Sequence, residues 1–399
     1  MTVLTEMSYG CARSHFENGS EAVTQNIDIR RVTARVYCAP LEEPVKTSFG
    51  TMRDRRMVLV EIEDNDGAVG WGEVWCNFPS IGAQHRARLV EDVLTPLLTA
   101  RTFASPNEAF EHLTRATAVL AIQSAEPGPF AQAIAGVDIA VWDLAARKSG
   151  QPLWRFLNSK AQPRIGVYAS GLNPDAPERL AAVKHQEGFT AFKLKVGFGA
   201  ERDLANLRAL RGTLPTGARL MVDANQGWDI ASTLDMLPRL QHFNVDWLEE
   251  PVRADVPWSD WLCLKQSTQI PLAAGENLAG ADAFRAALDA GALGVVQPDI
   301  AKWGGFSGCL SVARDIRAAG ARFCPHYLGG GIGLLASAHL LAAVGGDGLL
   351  EIDSNPNPLR SLLCGPLGDI SDGMATLSEF TGLGIEPDLA SLDQFIVPH

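Results

Sequence analysis

Through the middle of this chain a charged or imidazole side chain closes an apolar run once every 23 to 28 residues. Lys195 ends Phe192-Lys193-Leu194-Lys195, Asp223 ends Leu220-Met221-Val222-Asp223, and Glu249 ends Trp247-Leu248-Glu249. Glu276, Asp299, His326 and Glu351 follow in the same way. A step of that length holds one strand, one helix and their turns, so the period predicts a chain that alternates β and α. Short β-rich runs fall near 164–170, 190–196, 219–224, 245–250, 271–275, 293–298, 321–325 and 348–352. Helical spacing fills 177–187, 201–211, 231–241, 258–267, 281–290 and 308–319. Eight strands in this rhythm read as a closed parallel barrel, whose reactive groups lie at the C-terminal strand ends. Every residue named above lies there, whereas solvated surface charge belongs on the helices and the opposite rim.

Ahead of the barrel the pattern differs. Val32 to Cys38, Met57 to Ile62 and Ala68 to Glu73 read as strands, with Asn65-Asp66-Gly67 as a hairpin turn between the last two. Residues 85–98, 107–121 and 129–148 carry helical spacing, so strands followed by helices make an α+β unit. The stretch from Lys46 to Arg53 reads as a long mixed loop, and 74–84 as a second one. The expected division is a loose leader over 1–26, a cap over 27–155, a barrel over 156–355, and a segment over 356–399 that returns to the cap.

The balance of 34 basic and 46 acidic residues gives a net charge of −12, which argues against nucleic acid or an anionic membrane as a partner. Seven cysteines, scattered and never in a C-x-x-C pair, speak against a disulfide framework or thiolate zinc and fit a reducing cytoplasm. No signal peptide is expected from the first twenty residues, and no stretch is apolar for long enough to span a bilayer.

Asp223, Glu249 and Glu276 end three consecutive strands, so their carboxylates converge, and three so close stay ionised only around a cation. An all-oxygen set without Cys or His favours a hard divalent ion, Mg²⁺ first. Glu249 and Glu250 are adjacent and face opposite ways, so only Glu249 is expected to be a ligand, with Glu250 a supporting group. Strand alternation puts Lys193 and Lys195 on one face. A neighbouring ammonium and a dication both depress a lysine pKa, which suits Lys195 as a base, while Lys193 is placed to hold a substrate carboxylate. His326 and Asp299 end adjacent strands and can form a dyad that fixes the imidazole tautomer. Glu351 can serve a developing oxyanion if its pKa is raised.

Lys-x-Lys, Asp-Ala-Asn-Gln, Glu-Glu-Pro, Gly-Glu-Asn, Pro-Asp-x-x-Lys-x-Gly-Gly and the later Pro-His together resemble the enolase superfamily, and within it the mandelate racemase branch. The resemblance implies an α/β protein: a modified (β/α)7β TIM-type barrel with an N-terminal α+β capping domain. It implies Lys195 as one acid/base, the His326–Asp299 dyad as the other, and Asp223, Glu249 and Glu276 as Mg²⁺ ligands. It matches Glu351 to the family's electrophilic glutamate and Lys193 to its carboxylate-side lysine. Lys302 matches a lysine common to both branches rather than a base, because the sister muconate-cycloisomerase branch carries its lysine where this chain has Asp299.

The implied chemistry removes the proton α to a carboxylate through an enediolate. Dehydration or epimerisation of a sugar acid or related hydroxy acid is the expected outcome, with racemisation or lactone cycloisomerisation as alternatives. Lys46, Ser48, Asn225 and Tyr327 are expected to bind a small carboxylate substrate, and Arg53 and Asn77 are polar enough to help. A homo-oligomer is expected. Two other classes compete. Gly329-Gly330-Gly331-Ile332-Gly333 could hold a phosphate on backbone N–H groups, as in a metal-free phosphosugar isomerase. A barrel that binds metal and ligand without catalysis is the third.

Overall fold

The computed structural model describes residues 26–47 and 50–399. Two sheets organise it. The first runs β13-β1-β2-β3, all antiparallel, from β1 (Ile29–Thr47), β2 (Gly50–Asp64), β3 (Val69–Val74) and β13 (Ile396–Val397). The second is a nearly closed parallel barrel of β4 (Arg164–Leu172), β5 (Ala191–Lys195), β6 (Arg219–Asp223), β7 (Leu248–Glu249), β8 (Leu272–Ala274), β9 (Val295–Val296), β10 (Arg322–Phe323) and β11 (Leu349–Asp353). A short strand, β12 (Met374–Thr376), runs antiparallel to β4. β10 and β11 close the ring without a regular ladder. A Cβ on Gly348 would come within 1.9 Å of the Phe323 carbonyl, so the two backbones touch only because this residue is glycine.

The cap's helices are α1 (Gly82–Arg88), α2 (Thr95–Thr99), α3 (Pro106–Gln123) and α4 (Pro127–Lys148). Ser105 opens α3 by accepting from the Glu108 N–H at 3.2 Å, and Glu108 reaches back to the Ala104 N–H at 2.8 Å. A short α5 (Leu153–Leu157) leads to the barrel helices α6 (Pro177–Gln186), α7 (Ala200–Thr213), α8 (Ile230–Gln241), α9 (Trp258–Gln266), α10 (Ala281–Ala290), α11 (Gly305–Ala318) and α12 (Gly331–Val344). Seven helices between eight strands make the (β/α)7β arrangement. α12 is buried along its whole length, which is why its sequence shows no polar face.

One expectation of the sequence is corrected here. Within the stretch from Lys46 to Arg53, expected as a long loop, the described residues are paired at the ends of β1 and β2, with Lys46 opposite Thr51 and Thr47 opposite Gly50. The mixed composition of this stretch concealed a ladder that continues past the shift between Pro40 and Val45. The Lys46 side chain and Ser48 lie outside the described residues.

Strand alternation builds the barrel's interior in layers. Tyr168, Ala191, Met221, Trp247, Ala273, Val295, Cys324 and Leu349, one on or directly beside each strand, form a separate apolar cluster inside the ring. Two residues further along each strand stand Ser170, Lys193, Asp223, Glu249, Gly275, Gln297, His326 and Glu351. The polar layer therefore rests on a closed apolar floor.

The cap is fixed to the barrel by buried acids. Asp138 of α4 accepts from the Ser307 N–H at 3.0 Å and the Ser307 hydroxyl at 2.6 Å, at the start of α11. Burial pushes its carboxyl up to about 7 against those hydrogen bonds, and the Cys309 thiol is the titratable group facing it. An acid whose pKa is raised on folding binds more protons folded than unfolded, so stability falls as pH rises from about 4 to about 7. The stability of the wild type relative to Asp138→Asn should therefore drop across this window, by up to about 4 kcal/mol. Urea unfolding of both proteins at several pH values measures it; a difference independent of pH would refute the assignment.

Candidate active site

Lys193 is the buried centre of the polar layer. Its ammonium lies 2.6 Å from Glu249 Oε1, 2.8 Å from Glu351 Oε1 and 3.8 Å from Asp223 Oδ2, and 5.4 Å from the Tyr168 ring centroid. It is 0 % exposed and enclosed by Glu249 and Glu351, where the sequence reading expected it to hold a substrate carboxylate. Lys195, two residues on, reaches Asp223 Oδ2 at 2.5 Å. Burial alone would lower its pKa, but the Asp223 carboxylate outweighs that and raises it. Lys193 lowers it, as the sequence suggested, but by less than Asp223 raises it.

The dyad forms as its strand positions suggested. His326 Nδ1 lies 2.7 Å from Asp299 Oδ2, leaving Nε2 to face the site, 2.7 Å from Glu276 Oε2 and 3.8 Å from Glu351 Oε2. Burial opposes the imidazolium, but Glu276 and Glu351 hold the ring's pKa well above its ordinary value. Lys195 ends β5 and His326 follows β10, three strands apart one way round and five the other. They stand across the barrel mouth.

Glu351 departs from expectation. Burial would raise its pKa, but Lys193 and His326 bring it down to about 2, and the Ser170 hydroxyl and Tyr327 N–H also donate to it. With its pKa lowered, Glu351 accepts these hydrogen bonds, whereas the role expected for it needed the pKa raised. Asn225 folds back onto Asp223, with its backbone N–H 2.7 Å from Oδ1 and its amide 3.1 Å from Oδ2. Tyr327 is buried, and its phenol bonds the Glu73 carboxyl instead of lining an open pocket. Asn77 donates to the Leu328 carbonyl, and Arg53 is exposed.

The two adjacent glutamates divide as alternation requires. Glu249 turns into the barrel, where Gln297 Nε2 at 2.7 Å and Trp247 Nε1 at 3.1 Å both donate to Oε2. Glu250 turns the other way; Asn277 donates to Oε1 at 2.8 Å, while its buried Oε2 has no hydrogen-bond partner. Burial and then Glu276 and Asp223 push Glu250 up to about 8. Lys302 bonds Asn277 at 3.1 Å and lies 4.9 Å from the Trp75 ring centroid of the cap loop.

Among the described residues no three His, Cys, Asp or Glu side chains are drawn into a metal-binding arrangement; the ammonium and imidazole groups stand among the acids. The donor set nevertheless fits a hard divalent cation. Asp223, Glu249, Glu250, Glu276, Asp299 and Glu351 supply six carboxylates against Lys193, Lys195, Lys302 and one imidazole. Negative charge is in excess even with His326 protonated and Glu250 neutral, and the donors are all oxygen.

The glycine-rich run has a different purpose from the one its sequence suggested. The Gly330 N–H donates to Glu73 Oε1 at 2.5 Å and the Gly333 N–H to Oε2 at 2.9 Å, so a carboxylate from the cap fills the start of α12. The phosphate-binding alternative fails on these contacts. Ser170, Gln297, Trp247 and Glu73 were all missed by the sequence reading. Counting two residues past each apolar floor position would have found the first two.

Residues 30–158 match the family model described as mandelate racemase/muconate lactonizing enzyme, N-terminal domain, and 175–391 match the one described as enolase C-terminal domain-like. The chain belongs to the mandelate racemase/muconate lactonizing enzyme family. It is thereby an enzyme of the mandelate racemase type, built as a TIM-type barrel with a capping domain. Its relatives in the family include a D-galactarolactone cycloisomerase from Agrobacterium fabrum, 32% identical over 90% of this chain and 97% of that protein. An arabinonate dehydratase from Saccharolobus solfataricus is 27% identical over 82% of this chain and 87% of its own length. Among solved structures, a mandelate racemase/muconate lactonizing enzyme from Bordetella bronchiseptica is 58% identical and superposes with a TM-score of 0.88, covering 93% of this chain and 99% of that one. A racemase from Streptomyces coelicolor with bound magnesium is 27% identical with a TM-score of 0.83, covering 92% of this chain and all of the other.

Proposed function

We propose that this family member removes the proton α to the carboxylate of a sugar acid, its lactone or a related hydroxy acid, and that Asp223, Glu249 and Glu276 hold Mg²⁺ for the reaction. The observation that carries this reading is the pair of proton carriers, Lys195 and the Asp299-oriented His326, on opposite sides of a cluster of carboxylates. A divalent cation held by Asp223, Glu249 and Glu276 would supply positive charge to the substrate carboxylate. The neutral form of Lys195 or His326 takes the α-proton, according to the face presented, which requires the cation to offset the Asp223 and Glu276 charges that raise both pKa values. The His326 Nδ1–Asp299 bond fixes the ring so that Nε2 faces the substrate. Glu351, held by Lys193, is placed to accept hydrogen bonds from substrate hydroxyls.

The second proton transfer decides the product. Proton delivery to the opposite face of the α-carbon epimerises it; delivery to a β-hydroxyl expels water; delivery to a ring oxygen opens the ring or lactone. Dehydration is the leading reading, and the cycloisomerase among the relatives favours ring opening as the second. Both are eliminations from one enediolate.

The test is a panel of aldonic and aldaric acids and their lactones, incubated in D₂O with Mg²⁺. α-Carbon deuteration is read by NMR, and 2-keto acid formation is read separately. Exchange on at least one member is the expected result. A folded, magnesium-supplied protein that exchanges none of them would end this reading.

A further inference from the structure

We propose that Glu73, on the last strand of the cap proper, is a positioning residue for His326, holding from another domain the segment on which the imidazole rides. Glu73 lies near the end of β3 and is 2% exposed. Its carboxyl accepts from Gly330 and Gly333 at the start of α12 and bonds the Tyr327 phenol, next in sequence to His326. These partners are N–H and O–H donors, not a cation. The fourteen-residue α12 presents unsatisfied N–H groups and the positive end of its dipole there, which a carboxylate satisfies as a bound anion would.

The glycines show how close the fit is. A Cβ on Gly330 would stand 2.4 Å from Met57 Sδ and 2.8 Å from Glu73 Oε1; one on Gly333 would stand 2.2 Å from the Tyr327 phenol oxygen. The run is glycine-rich so that an acid of the cap can reach the helix start. The rest of the segment is held from both sides. Tyr327 N–H donates to Glu351 at 3.3 Å, Asn77 of the cap donates to the Leu328 carbonyl, and Asn357 donates to the Gly329 carbonyl at 2.8 Å. His326 is thus aimed by Asp299 through its ring and by Glu73 through its backbone. The catalytic meaning of this aim rests on the acid/base role proposed above; the anchoring does not.

The test uses the full-length, magnesium-saturated protein as wild type, Glu73→Ala and Glu73→Gln, with His326→Asn to assign the downfield proton of the Nδ1–H···Asp299 bond. Glu73→Ala should lose or shift that resonance and speed amide exchange over 327–333 by about 10-fold or more, while the barrel strands stay protected. Sodium formate, small enough to lie between the freed N–H groups, should restore both signals, and Glu73→Gln should fall between. For any panel acid the wild type turns over, kcat should drop in Glu73→Ala with KM little changed, and formate should recover it. A native downfield proton and native protection in Glu73→Ala, or in Glu73→Gln if the alanine protein does not fold, overturns the proposal. If the spectroscopic changes and formate rescue occur but wild type turns over no panel acid, the anchoring stands and the reaction reading is what fails.

Discussion

Lys195→Ala and His326→Asn are each expected to lower kcat by about 10²- to 10⁴-fold, the usual worth of a positioned acid or base. Magnesium affinity should change little in either. Lys195 touches Asp223 and His326 touches Glu276, so each lies beside an acid assigned to the cation without being a ligand. The two variants should also differ from each other. If the carriers serve opposite faces, each protein keeps α-proton exchange on the face of the surviving group, so deuteration of a pair of epimers separates them. Isothermal titration with Mg²⁺, melting curves and stereospecific exchange together make the check. Loss of magnesium binding in either variant would contradict the division of roles, and equal loss of exchange on both faces would contradict the opposed placement.

Removing magnesium should have the second-largest effect. Chelation is expected to reduce exchange to background, and added Mg²⁺ to restore it. Mg²⁺ at about 100 times its Kd should also stabilise the folded protein by about 2.7 kcal/mol, read as a rise in Tm. Glu249→Gln and Glu276→Gln should lose most of this increment, because each removes one charge from the acids assigned to the ion; Lys195→Ala should keep it. Unchanged turnover in thoroughly chelated protein would exclude the metal from the mechanism.

The barrel was legible because its period is long and regular: strand ends such as Asp223, Glu249 and Glu276 recur at nearly equal steps, and each closes an apolar run. The His326–Asp299 pair was legible for the same reason, since adjacent strands bring consecutive ends together. Orientation and charge state were not. Lys193 follows the strand alternation as expected, but the sequence does not say that Glu249 and Glu351 enclose it. The same enclosure lowers the Glu351 pKa, whereas its expected role depended on a raised one. The β1–β2 pairing within 46–53 was hidden because backbone pairing continues where side-chain alternation stops. Glu73 was read only as the end of a strand, since its partners lie more than 250 residues away and no local pattern connects them.

The eight side chains of the apolar floor, Tyr168 to Leu349, lie beneath the polar layer on the side away from the cap. An apolar floor disfavours water entry from below, so exchange of a hydron with solvent is expected on the cap side. A hydron lifted from one molecule will return to the same molecule more often the longer the cap stays shut. The fraction of label washed out per turnover then becomes a clock for how often the entrance opens.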